Sequence, residues 1–215
     1  MSMDATTWNK RYAERELVWG DLPNQFLVQE VDDMPPGKAL DLGAGEGRNS
    51  LWLASKGWQV VAVDFSSVGI NKGRRYAAMK GIEGIKWIEA DLLEYEPEER
   101  AFDLVLLFYV QLPREQRRTV LSKAAKAVGP GGTLLVVAHH LANLTDGYLG
   151  PRDPSVLYTP DEVVEDINAD PLGQQLELVS SRDAIRIVND EEGEHRAIDV
   201  LVRAALPPVR TALSS

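Results

Sequence analysis

Between residues 39 and 139, short β-branched runs alternate with longer stretches of helical pattern, and no other feature constrains the fold as strongly. Strand-like runs stand at 39–42, 59–64, 85–89, 104–108 and 133–139, with helical stretches at 48–56, 66–80 and 114–128. Parallel strands need a crossover between them, usually a helix, so this rhythm predicts an α/β fold with a mostly parallel sheet. Each helical stretch ends in glycine, at Gly57, Gly81 and Gly129, and lysine precedes the first two. That arrangement suits a left-handed helix C-terminus. In the third stretch Val120, Leu121, Ala124, Ala125 and Val128 share one core-facing stripe.

Outside this span the rhythm changes. Residues 4–34 read as two helices joined by a loop around 20–23. A connection rich in Gly, Pro and Asp runs from His139 to about Tyr158, and a helix follows with Thr159 as N-cap and Pro160 in its first position. Two last strands, near 176–181 and 197–204, flank a polar hairpin loop at 189–194, and the tail from Pro207 is expected to fray. A length of 215 residues predicts a single domain over 1–215.

Composition excludes several functions. The 23 Lys+Arg and 33 Asp+Glu leave a formal charge of −10, which disfavours nucleic acid and anionic membrane surfaces as partners. Cysteine is absent, so disulfides, thiolate metal sites, Cys nucleophiles and iron–sulfur clusters are ruled out, radical chemistry on such a cluster included. No metal-ligand spacing stands out, and no metal is expected. The N-terminal residues lack the apolar stretch of a signal peptide, and the most apolar run, 104–112, is about half of a membrane helix. A cytoplasmic location is the expectation.

The sharpest local signal is DLGAGEGRNS at 41–50, directly after a strand and before a helix. Gly43, Gly45 and Gly47 keep side chains out of a tight turn, so that a ligand can approach the backbone. Asp64 closes the next strand, and a carboxylate there can accept both hydroxyls of a ribose. The third glycine arrives one residue too early for the dinucleotide fingerprint, and Arg48 stands where that fingerprint needs Gly or Ala. Asp41 places a further carboxylate where a pyrophosphate would lie. A ribose-bearing ligand with a positive centre and no phosphates suits the turn better, and S-adenosylmethionine (SAM) has that chemistry.

DLGAGEGRNSLWLA, VVAVDFS and PGGTLLVV, in that order over residues 38–139, resemble the Rossmann-like, class I SAM-dependent methyltransferases. The GRNSLWLA continuation and the N-terminal WNKRYAERELVWGDLPNQFL are similar to the tellurite-resistance and thiopurine methyltransferase branch. The resemblance implies a three-layer fold, with a mostly parallel seven-stranded sheet, an antiparallel C-terminal hairpin strand and helices on both faces. It also implies that residues 1–34 form a helical lid, 38–139 the SAM-binding core, and 140–206 the substrate-side loop, helix and final strands.

By the same resemblance, Asp41, Gly43 and Gly45 surround the methionine portion of SAM, Asp64 holds the ribose and Phe65 lies beside the adenine. Asp91 accepts from the adenine amino group, Leu92 packs near the ring, Phe108 offers its carbonyl to the ammonium, and Arg11 pairs with the carboxylate. Each has a plainer alternative: a helix cap for Asp91, core packing for Phe108 and a solvated ion pair for Arg11. Trp8, Tyr12 and Trp19 form a candidate aromatic lid over the acceptor.

A thiol, selenium or tellurium acceptor needs little or no general base, whereas an O- or N-acceptor needs one. His139 and His140 end the fifth strand, and alternation lets only one of them face the ligand. A structural histidine is the competing role. Arg186 resembles a cation near the substrate in the tellurite branch, with a surface arginine as its alternative. The stretch FYVQLP lacks the Asn/Asp-Pro-Pro-Tyr/Phe of base-nitrogen methylation. A small-molecule methyl acceptor is therefore expected, without nucleic acid or membrane, and a non-catalytic SAM-binding module is the alternative from another class.

Overall fold

Runs of apolar residues buried on both faces of an extended segment make strands covered on both sides, and residues 38–64 follow that rule. A computed structural model of the protein describes residues 5–18, 20–191 and 193–209, in two compact units, 1–96 and 97–215.

In the first unit α1 (Ala5–Ala13) and α2 (Gln25–Val31) precede β1 (Lys38–Leu42), α3 (Arg48–Ser55), β2 (Gln59–Asp64), α4 (Ser67–Lys80) and β3 (Ile85–Glu89). β2 lies between β1 and β3, parallel to both, with Leu40 beside Val61 and Val63 beside Ile88. Leu27, Leu40, Leu53, Val60, Ala62 and Ile70 form its buried centre. α4 starts on Ser66, whose side chain accepts from Gly69 N, and stops on left-handed Gly81.

The second unit holds β4 (Phe102–Phe108), α5 (Arg114–Ala127), β5 (Val128–His139), α6 (Pro160–Asn168), β6 (Glu177–Asp190) and β7 (Gly193–Ala205). β4 and β5 are parallel, whereas β7 runs antiparallel to both β5 and β6. α6 begins with the expected Thr159 cap, completed by Glu162 as a capping box. Its buried Asp166 joins α6 to α5 by accepting from Arg114, Arg117 and Arg118 at 3.0, 2.6 and 2.9 Å. A buried carboxylate is tolerable only with such full pairing.

Seven strands, mostly parallel and ending in an antiparallel hairpin, give the fold class expected from the sequence. Three details differ. Gly129 does not terminate a helix in the left-handed conformation: α5 passes directly into β5 at Val128, and a Cβ at Gly129 would lie 3.0 Å from Arg100 O. Close backbone approach, not turn geometry, accounts for that glycine. The last two strands are about twice the expected length, because pairing continues to Asn189↔Glu194 and Asp190↔Gly193 through the polar segment read as a loop. The connection after β5 is not structureless, with short 3-10 turns over Leu141–Leu144 and Pro154–Val156.

Candidate active site

The glycine turn between β1 and α3 is tied to the end of β2 by backbone and side chain together. Gly43 N and Ala44 N donate to Val63 O at 2.8 and 3.0 Å, and Gly45 N donates to Asp64 Oδ2 at 2.8 Å. Asp64 Oδ1 accepts from Ser66 N at 2.8 Å, so the same carboxylate shapes both turns. Burial pushes its proton affinity up, opposed by the Ser66 and Gly45 N–H groups. Each carboxylate oxygen still has a lone pair beyond the one it uses here.

Asp41 lies at 1 % exposure in β1, where Ser50 Oγ donates to its Oδ2 at 2.7 Å. Burial raises its pKa to about 6; the Ser50 hydrogen bond opposes that rise, and the neighbouring Asp64 charge adds to it. Two buried carboxylates that repel each other favour a cationic ligand. The glycines divide by role. A Cβ on Gly47 would overlap the Trp87 ring, so Gly47 serves internal packing and not ligand approach. A Cβ on Gly45 would overlap the hydroxyl end of Tyr12, which covers the turn from α1.

α1 is fastened over this turn by residues not singled out in the sequence. Asn9 Oδ1 accepts from Ser66 Oγ at 2.6 Å and Val68 N at 3.3 Å. Buried Glu46, between the motif glycines, accepts from Val18 N at 2.8 Å and pairs with Lys72 at 3.1 Å. Lys72 also donates to the carbonyls of Tyr12 and Arg15. Glu46 had a readable signal, an acid inside a glycine turn; Asn9 and Lys72 had none.

The other expected first-unit residues are less concentrated. Tyr12 is buried and stacks on Trp8 at 5.4 Å, while Arg11 is exposed with its guanidinium 5.0 Å from the Trp8 ring. Phe65 is half-buried and Leu92 buried; Asp91 is exposed, and its Oδ1 accepts from Leu93 N at 2.9 Å as a turn cap does. Trp19 lies outside the described residues. A ribose-bearing cation fits this set of acceptors: lone pairs on Asp64, two neighbouring buried acids whose charges repel, and a turn with three glycines.

In the second unit Phe108 is buried at the end of β4. The two histidines part company. His140 Nδ1 accepts from Ala142 N at 2.9 Å in the turn that follows, and its Nε2 lies 3.3 Å from Asp183 on β6, so both ring nitrogens have protein partners. His139 and Arg186 meet at Asp199, together with Tyr109. Arg186 is thus an ion-paired, largely covered side chain and not a surface arginine. Asp199 carried the same signal as Asp64, an acid within an apolar strand (AIDVLV).

A family model described as a methyltransferase domain matches residues 39–132. The ribosomal RNA small subunit methyltransferase C of Alcanivorax borkumensis is 34% identical over 109 residues, 48% of this chain and 33% of that protein. The 2-heptyl-1-hydroxyquinolin-4(1H)-one methyltransferase of Mycobacteroides abscessus is 27% identical over 122 residues, 55% of this chain and 53% of that one. The chain therefore spans only a third to a half of these curated relatives. Among solved structures, TehB from Haemophilus influenzae aligns with a TM-score of 0.69 at 20% identity, over 94% of this chain and 66% of its own. A protein studied for the conversion of a disulfide into a thioacetal during echinomycin biosynthesis aligns at 0.74 and 17% identity, over 97% and 93%. Residues 39–132 are thus similar to a methyltransferase domain, and the fold is the Rossmann-like one of these solved structures.

Proposed function

We propose that the protein transfers a methyl group from SAM to a small-molecule acceptor. The observation that carries this reading is the pair of buried carboxylates, Asp41 and Asp64, set at the strand ends around a glycine turn. Asp41, Gly43, Gly45, Asp64, Phe65, Asp91 and Leu92 would hold the cofactor, with Arg11 and the Phe108 carbonyl assigned to it by resemblance. SAM supplies a methyl already activated by its sulfonium charge. The chain's task is to hold the acceptor in line and exclude water, and such positioning supplies ~7–11 kcal/mol in well-oriented systems. Tyr12 over the Gly45 turn, with Trp8 stacked on it, supports assigning the water exclusion to α1.

A thiol, selenium or tellurium acceptor fits the sequence reading and asks for no base. One observation favours a second reading, an O- or N-acceptor: the His139 ring sits against a buried carboxylate. Relatives named for ribosomal and transfer RNA methylation broaden the acceptor question, but a formal charge of −10 supports the small molecule.

Calorimetry with SAM and with NADH, followed by transfer of labelled methyl to thiols, selenite, tellurite and phenols, tests the reading. SAM binding with turnover on one of these is expected. Binding without turnover would leave a SAM-binding module, and NADH binding in place of SAM would overturn the assignment.

A further inference from the structure

Two residues one helical turn apart let α4 come close to the glycine turn. A Cβ on Gly69 would lie 3.0 Å from Gly45 O, and one on Gly73 would lie 2.9 Å from Glu46 O, so helix and turn meet backbone to backbone. Lys72 leaves the same stretch of α4, GINKG at 69–73, and its ammonium reaches the edge of that contact. An ammonium has three donors and no acceptor. Three acceptors meet it here: Glu46 Oε1 at 3.1 Å and the carbonyls of Tyr12 and Arg15. The last carbonyls of a helix lack partners within it, and a cation at that end also answers the helix dipole. Lys72 on α4 therefore caps the C-terminal end of α1.

Glu46 is the other half of the hold. Its buried side chain belongs to the motif turn, and besides Lys72 it accepts from Val18 N at 2.8 Å. One ion pair thus fixes the chain at Tyr12, Arg15 and Val18. Burying a charge is tolerable only with a partner, so loss of either side chain weakens both halves. Towards its other end α1 is held by neutral hydrogen bonds, with Asn9 Oδ1 accepting from Ser66 Oγ and Val68 N. Tyr12 is the one buried residue of α1. Its hydroxyl end stands where a Cβ on Gly45 would be, and its Cε2 would lie 3.3 Å from one on Gly69. A nine-residue helix with a single buried side chain has little apolar area to keep it seated, so its position depends on these polar contacts.

On the SAM reading of the turn given above, on which this rests, we propose that Lys72 and Glu46 latch α1 over the cofactor turn. α1 swings away as a unit when SAM enters or leaves, and the ion pair sets how long the cofactor stays bound. Lys72 and Glu46 are positioning residues, acting through Tyr12 and the backbone of α1. The sign of the effect separates this role from plain electrostatics. SAM carries a sulfonium charge, so deleting a lysine from this unit would by charge alone tighten its binding and slow its release. Deleting a latch speeds release. It speeds entry as well, because a cover that opens more often admits ligand as readily as it lets ligand go.

Two measurements test this. Amide hydrogen exchange of the protein without cofactor reads the latch directly. In Lys72→Met, amides over residues 5–18 should exchange at least tenfold faster, while β1 and β2 keep their wild-type protection. Glu46→Gln, which keeps an acceptor for Val18 N and loses the charge, should give the same pattern. Unchanged exchange over 5–18 would overturn the proposal, and so would a loss of protection spread equally over β1 and β2, the mark of a purely structural role. In the second measurement, protein loaded with radiolabelled SAM is chased with unlabelled SAM. Lys72→Met should release the label at least tenfold faster and bind it faster, so that Kd moves less than either rate. Unchanged or slower release would leave only the charge effect and sink the latch. Lys80→Met removes an exposed ion pair with Asp21 from the same helix and should leave both rates at their wild-type values. An equal acceleration there would reveal a general effect of charge on α4 and refute the assignment to Lys72. If the wild type binds no SAM, the reading of the turn fails, and exchange over 5–18 still decides whether the pair holds α1.

Discussion

At the scale of single residues, the acids at strand ends carry the most information. An acidic side chain closing an apolar strand must find a partner, and Asp41 and Asp64 were readable for that reason. Asp64→Ala is expected to weaken SAM binding at least tenfold by calorimetry, about 1.4 kcal/mol; unchanged affinity would remove Asp64 from the ribose. Asp41 supports a test of sign. Its pKa is raised from 3.8 to about 6, so the folded protein holds that proton more tightly than the unfolded chain does. Stability from this group is therefore full at low pH and lost as pH rises from about 4 through about 6. Asp41→Asn should raise stability to denaturant at pH 7 by up to roughly 3 kcal/mol, at 1.36 kcal/mol per pH unit, with no gain near pH 3.5. The same variant should bind SAM more weakly, since a cation favours the ionised acid. A gain that persists at low pH would mean that packing, not charge, is the cost at this position.

At the scale of elements, strand and helix positions were legible from periodicity, while their ends were set by partners far away in sequence. The β6–β7 hairpin shows why: Asn189 and Glu194 look like loop residues, yet cross-strand pairing continues through them because the backbone groups have each other to bond. Trp87 shows a second kind of hidden constraint. Its ring occupies the space that a Cβ on Gly47 or Gly73 would need, and the Glu46 carbonyl oxygen would lie 2.9 Å from the one on Gly73, which together explain a glycine in the middle of α4. Gly73→Ala would gain about 1 kcal/mol in helix propensity, but overpacking against an aromatic ring costs typically 1–3 kcal/mol. A net loss of about 1 kcal/mol is expected in chemical denaturation. Combined with Trp87→Leu, the double variant should be more stable than the two single losses add up to, by about 1 kcal/mol. Strict additivity would place the strain on the Glu46 carbonyl, 2.9 Å from that Cβ, instead of on Trp87.

For the whole molecule, the open question is what class of acceptor the charge distribution admits. The fold and the domain match are shared with relatives named for RNA methylation, so neither decides it. Charge offers the test, through how the cations are used. Arg114, Arg117 and Arg118 converge on Asp166, Lys72 is held by Glu46, and Arg186 by Asp199. Each of these faces a carboxylate of the protein, and the formal balance of the chain is −10. Affinity for a phosphate backbone comes from cations that exchange condensed counterions for phosphates, and cations already bound to carboxylates have little to exchange. A fluorescent RNA hairpin should accordingly bind more weakly than about 10⁻⁴ M at low salt, outside the usual non-specific range of 10⁻⁴–10⁻⁶ M. Excess RNA should leave methyl transfer to a small acceptor unaffected. A micromolar Kd that falls away steeply with added salt would instead reveal a cationic track and move the acceptor to nucleic acid. Weak binding without salt dependence would support a small-molecule acceptor.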